Sequence, residues 1–193
     1  MLPVNGDKAD DNLDLDQCPT GRQYSNLQTV GNNIPYAAMV VLGTAIMAAA
    51  FQNIVTAQIA ALFYLFYGIA GAIWIIVFIC PYCRYWGTNS CPCGYGLIAA
   101  AIRKRKALYK FSEQFKKHIP VIVPLWFIPV AAGAYALARG FSWLMLALLV
   151  LFALDAFAVL PLYSRSHGCA ECPQKDDCPW MGGQKQVTFP TES

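Results

Sequence analysis

Eight cysteines are the residues in this sequence best suited to chemistry, because of their type and their spacing. Cys80-Pro-Tyr-Cys83 runs through seven residues to Cys91-Pro-Cys93-Gly, and Cys169-Ala-Glu-Cys172 runs through five residues to Cys178-Pro-Trp. Cys18 stands alone near the start. A C-x-x-C pair lets one turn of chain offer two thiolates to one centre, and a later cysteine closes the site. Four thiolates satisfy either a tetrahedral Zn²⁺ or an iron–sulfur cluster. Eight make two such sites.

The simplest partition is local. Cys80, Cys83, Cys91 and Cys93 form the first site. Cys169, Cys172 and Cys178 form the second, with Cys18 as the fourth ligand or His167 in its place. Exchange of ligands between the two loops is a further arrangement, as in two-cluster ferredoxins.

These thiols must be positioned by an unusually apolar chain. Of its 193 residues 57% are hydrophobic and 13% charged, against about 25% charged in an ordinary soluble domain. The charge is also segregated, because a charge at a bilayer centre costs about 3 kcal/mol on insertion scales. Residues 34–80 and 119–163 hold almost none. An apolar helix crosses roughly 30 Å of hydrocarbon in about 20 residues. Four segments meet that length, at 34–51, 59–80, 119–138 and 141–163. Their short links predict two antiparallel transmembrane hairpins, at 34–80 and 119–163, in an all-α membrane protein. Asn32, Asn33 and Pro35 read as the start of the first helix. The acidic arm 1–33 carries no apolar stretch of the kind a cleavable leader needs.

Orientation follows from lysine and arginine. Thirteen of the 14 fall in the arm, in the loop 81–118 or in the tail 164–193, and Arg139 alone lies in the opposite link. Both termini and all the cysteines are therefore expected on the cytoplasmic side of the inner membrane. Within the loop, residues 97–117 read as one basic amphipathic helix lying on the membrane surface, with Leu97, Ala101, Leu108, Phe111 and Phe115 on its apolar side.

A reducing compartment makes disulfides a poor use for eight cysteines and favours metal. Five of them precede a proline, which fixes the chain's exit from a site. Cys-Pro resembles the ending of the bacterial ferredoxin run, although the full run is missing. Zinc ribbons use similar pieces, and Cys91-Pro-Cys93-Gly suits them. The deciding feature is place. Cys80 ends an apolar span and is followed at once by Tyr82, Tyr85 and Trp86, an aromatic belt at the membrane boundary. A redox centre there is placed to exchange electrons with quinone in the lipid and with a soluble protein outside it.

The expectation is thus two iron–sulfur clusters of the [4Fe–4S] type in a non-catalytic electron-transfer subunit of a larger membrane-associated redox complex. The alternatives are a structural or assembly protein with two zinc sites of four cysteines each, and a membrane protein handling thiophilic metal. Haem is not expected, since His118 and His167 lie outside the spans and Cys83 is followed by Arg84 rather than histidine. A net charge of +3 is too small to suggest nucleic acid. Asp155 is the one intramembrane charge, about 12 Å below the helix end near Tyr163, and is a candidate for proton or quinone chemistry. Pro120, Pro124 and Pro129 are expected to kink the third helix beside it.

Overall fold

A computed structural model describes residues 23–170, 172 and 174–181. Among the described residues the structure is helical throughout, and four helices are long and apolar enough to cross a membrane. Helix α1 spans Asn26–Ala49 and α2 spans Ile54–Phe78, the latter extended by a 3₁₀ turn at Cys80–Tyr82. Two short helices follow, α3 at Tyr95–Ile102 and α4 at Phe111–His118. Helix α5 covers Pro124–Arg139 and α6 covers Trp143–Leu154. The last span continues through a π turn at Asp155–Val159, an α turn at Leu160–Tyr163 and a second π turn at Ser164–Gly168.

Each start has a local cause. The α1 N-terminus is a capping box in which Ser25 Oγ accepts from the Gln28 N–H and the Gln28 side chain accepts from the Ser25 N–H. The helix therefore begins eight residues before the apolar run, and Pro35 lies inside it rather than at its start. Asn53 caps α2 by accepting from the N–H groups of Val55 and Thr56, and Ser142 caps α6 by accepting from Met145.

The four spans pack on a core of Met39, Ile46, Tyr64, Leu125 and Phe152, all fully buried. Small residues set the approach of α1 and α2. A Cβ at Gly43 would fall 2.3 Å from the Tyr64 ring, and one at Gly68 would fall 2.7 Å from Val40. Outward-facing side chains are apolar too, with Phe63, Phe66, Leu144 and Leu162 each more than 60% exposed. That surface needs a lipid solvent.

Prolines inside these spans free backbone carbonyls, and neighbouring helices take them up. Pro129 has no N–H for the carbonyl of Leu125, which accepts instead from the Tyr64 hydroxyl at 2.8 Å. In the first π turn the Leu160 N–H bonds the Asp155 carbonyl, so the same pattern assigns Ala156 to Pro161. The Trp126 indole N–H reaches across from α5 to the Ala156 carbonyl at 3.1 Å. The third span opens with a 3₁₀ turn at Ile119–Val121 carrying Pro120, just before Pro124, whereas Pro129 lies within the continuous α5.

The segment 97–117 differs from the single surface helix expected. It is split into α3 and α4, and Arg103 is extended at φ −134°, ψ 143°. Four successive cations at 103–106 gain more by spreading out than by winding into one turn. The extended run is held by the Lys106 N–H on the Pro81 carbonyl (2.9 Å), and the Trp86 indole donates to the Arg103 carbonyl (3.2 Å). Each half docks separately. Ala99 of α3 is buried with Ile76 and Cys80, and Phe111 of α4 is buried with Ile79 and Cys178.

A candidate thiolate centre at one end of the bundle

The first cysteine loop is a series of tight turns built onto the end of α2. Cys80 opens the 3₁₀ turn and the Cys83 N–H closes it on the Cys80 carbonyl at 3.0 Å. The Cys91-Pro92-Cys93-Gly94 turn closes by the Gly94 N–H on the Cys91 carbonyl at 3.0 Å, with Gly94 at φ +74°, where a side chain is disfavoured. Helix α3 starts directly after it. The α1 side chains Asn32 and Asn33 donate to the carbonyls of Pro92 (2.9 Å) and Cys93 (3.1 Å). Tyr163 in turn donates its hydroxyl to Asn32 Oδ1 at 3.1 Å, so the first and last spans are joined at this turn.

The tail folds onto that loop. Successive turns place the Cys172 N–H on the Cys169 carbonyl (3.1 Å) and the Cys178 N–H on the Lys175 carbonyl (3.3 Å). Gln174 is only 7% exposed and is the clamp. Its Oε1 accepts from the Arg84 N–H at 2.8 Å and its Nε2 donates to the Tyr82 carbonyl at 3.4 Å. A side chain from the tail thereby holds the backbone of the first C-x-x-C turn. Arg165 donates to the Trp180 carbonyl at 3.0 Å, and Trp180 donates to Ser164 Oγ at 3.3 Å.

Seven of the eight candidate ligands thus lie at one end of the bundle, and Cys18 lies outside the described residues. At Cys83 the like charge of Cys80, Cys91 and Cys172 adds to the effect of burial. Burial pushes the Cys93 thiol up to about 12, with Cys91 and Cys169 adding like charge. Burial also lifts Cys169 to about 11, helped by Cys178 and Cys172 and opposed by Arg165. Cys83 is raised well above the ordinary thiol range, first by burial, although a backbone hydrogen bond from Tyr85 opposes the rise. Among the described residues, no three His, Cys, Asp or Glu side chains converge on one point as a mononuclear metal would draw them. The donor set is nonetheless uniform. It is all sulfur, and its thiols stay protonated unless a cationic centre compensates the charge of the thiolates.

This electrostatics has a pH consequence for metal-free protein. Folded thiols at about 11 and about 12 bind protons that an unfolded thiol releases near about 8.5. Their contribution to stability is complete below the unfolded value and is lost as pH rises through the folded values. Metal-free, reduced protein should therefore melt at a constant temperature between pH 7 and 8 and at falling temperatures from pH 9 to 12. At pH 8 its Cys93 should alkylate on the order of 10–100-fold more slowly than free cysteine. Mass spectrometry of the alkylated peptide measures the second effect.

The histidines and Asp155 make other contacts. The His167 ring stacks on Tyr163 with centroids 4.4 Å apart, and its Nδ1 is 2.8 Å from Ser166 Oγ. His118 stacks on Phe78 at 4.9 Å and meets Trp74 edge-on at 5.7 Å. Asp155 opens the first π turn, and its Oδ2 is buried without a hydrogen-bond partner among the described residues. At this site the sequence reading passes over Gln174 and gives Asn32 and Asn33 only the role of a helix start. Asn32 and Asn33 resemble helix-start residues, and a lone glutamine among tail cysteines has no pattern of its own.

Fold and site together define a class: the described residues are helical, with four bilayer-length apolar helices and a partly buried group of thiols at one end. Compared with protein-family models, curated proteins and solved structures, the chain matches none.

Proposed function

We propose that this protein is an integral membrane electron-transfer subunit whose cysteines hold two iron–sulfur clusters. In this reading two antiparallel hairpins present the clusters at the cytoplasmic face, where they link a soluble oxidoreductase to quinone or to another membrane redox partner. The observation that carries it is the gathering of the thiols of both loops, two buried and five partly buried, where α2 leaves the apolar zone. Bound clusters supply reversible one-electron chemistry. The chain's own part is to ligate and bury them, and to hold the loops with Gln174, Asn32 and Asn33. The cytoplasmic orientation rests on the 13 to 1 distribution of Lys and Arg. Just before Cys80, Phe78 packs against Trp74 and His118, and in this reading that aromatic cluster is the place to look for a quinone headgroup.

A structural pair of zinc sites is the second reading, and the Cys91-Pro92-Cys93-Gly94 turn favours it. Transport of thiophilic metal has less support, because Asp155 is the single acidic or basic side chain deep in the spans. Purification without oxygen, followed by iron, zinc and acid-labile sulfide analysis, separates these readings. The expected result is brown protein with iron and sulfide in equal amounts and a reducible EPR signal. Stoichiometric zinc without iron would replace it with the structural reading.

A further inference from the structure

The contacts between the loops bear on which cysteines share a centre. A Cβ at Gly168 would stand 3.3 Å from Pro92 Cγ, so the residue before Cys169 lies against the residue between Cys91 and Cys93. Gln174, two positions after Cys172, is bonded to the backbone on both sides of Cys83. Cys178 is buried with Ile79 and Phe111, and Cys83 packs against the same cluster. Each half of the tail is therefore fitted to a different half of the first loop, Cys169 to the Cys91-Cys93 turn and Cys172 to the Cys80-Cys83 turn.

We propose that both centres are shared between the loops, with Cys83 and Cys172 ligating one thiophilic metal centre and Cys93 and Cys169 ligating the other. The inference rests on reading the thiols as metal ligands and replaces the local partition of those ligands. It also gives the metal a mechanical role. Arg84 and Gln174 are 90 positions apart in sequence, so a centre bridging Cys83 and Cys172 ties the last span to the second across nearly half of the chain.

Paired substitutions test this in the full-length protein purified without oxygen, with total bound metal as the readout. If Cys83 and Cys172 serve one centre, Cys83→Ser/Cys172→Ser keeps about half of the wild-type metal, as either single substitution does, whereas Cys83→Ser/Cys93→Ser loses nearly all of it. Local sites reverse the two results, and that reversal overturns the proposal.

A second measurement needs no variants. Wild-type protein stripped of metal is oxidised with limiting iodine and digested with trypsin without reduction, and its disulfide-linked peptides are sequenced by mass spectrometry. Links of Cys83 to Cys172 and of Cys93 to Cys169 support shared centres. Links confined within each loop, in protein that binds metal before stripping, overturn shared centres and leave the electron-transfer reading standing. Cross-loop links in protein that binds no metal under any preparation overturn both the metal reading and the ligand role of these pairs.

Discussion

Replacing Gly96 by alanine is expected to dislodge α3 and expose the thiols of the first loop. A Cβ at this position would lie 2.2 Å from the Tyr85 carbonyl oxygen and 3.1 Å from Cys91 Cβ. The nearer atom is backbone, within a loop fixed at both ends, so no rotamer change relieves the clash. Tyr85 is buried, and the Gly87 N–H bonds the Gly96 carbonyl at 3.0 Å, so a shift of α3 breaks the contact that anchors this turn. Overpacking of this kind costs about 1–3 kcal/mol, and more when backbone must move. We expect Gly96→Ala to lower bound metal severalfold and to make Cys91 and Cys93 at least tenfold more reactive to a thiol reagent in the metal-free state. Gly140→Ala is the control, since a Cβ there meets nothing within 4 Å and should leave both readouts unchanged. Equal behaviour of the two variants would show that α3 does not fix the cysteine turn.

The membrane-length helices are legible because apolar length is written directly in composition. Helix ends are less so. Hydrophobicity alone starts the first helix at Ile34, whereas Ser25 and Gln28 start it two turns earlier in polar sequence. Those extra turns carry Asn32 and Asn33 to the carbonyls of Pro92 and Cys93, so the part of α1 that a hydropathy reading discards is the part that touches the site. The basic segment misleads for a related reason. Apolar residues at spacings of three and four fit one helix, but Arg103–Lys106 is extended and its two flanks dock on different buried residues, Cys80 and Cys178.

The candidate cysteines are legible in the sequence, and the contacts that bring their two loops together are not. C-x-x-C spacing is local information, and it favours sites made within one loop. Contacts such as Gln174 with Arg84, or Gly168 with Pro92, depend on how the last span leans on the first. That lean is set by the packing of α1 against α2, α5 and α6, including Gly43 beneath Tyr64 and the π turns at Asp155–Val159 and Ser164–Gly168. No short motif encodes it.

Tyr64→Ala should be the most damaging substitution within the spans. The side chain is fully buried, lies over Gly43 of α1 and donates to the Leu125 carbonyl of α5 at 2.8 Å, so it joins three helices. Removing it opens a cavity that lipid cannot fill, and comparable aromatic truncations cost about 3–5 kcal/mol. Tyr64→Phe isolates the hydrogen bond. It leaves the ring over Gly43 but abandons a carbonyl that Pro129 cannot serve, at a cost of about 1–2 kcal/mol in apolar surroundings. Pro129→Ala supplies the missing N–H to Leu125 from within α5. In that background Tyr64→Phe should cost only a few tenths of a kcal/mol, because the carbonyl then has another donor. Unfolding of the four variants in mixed micelles of mild detergent and dodecyl sulfate gives the coupling energy directly. An unchanged cost of Tyr64→Phe in the Pro129→Ala background would mean that the hydroxyl acts by filling space rather than by satisfying the carbonyl that proline sets free.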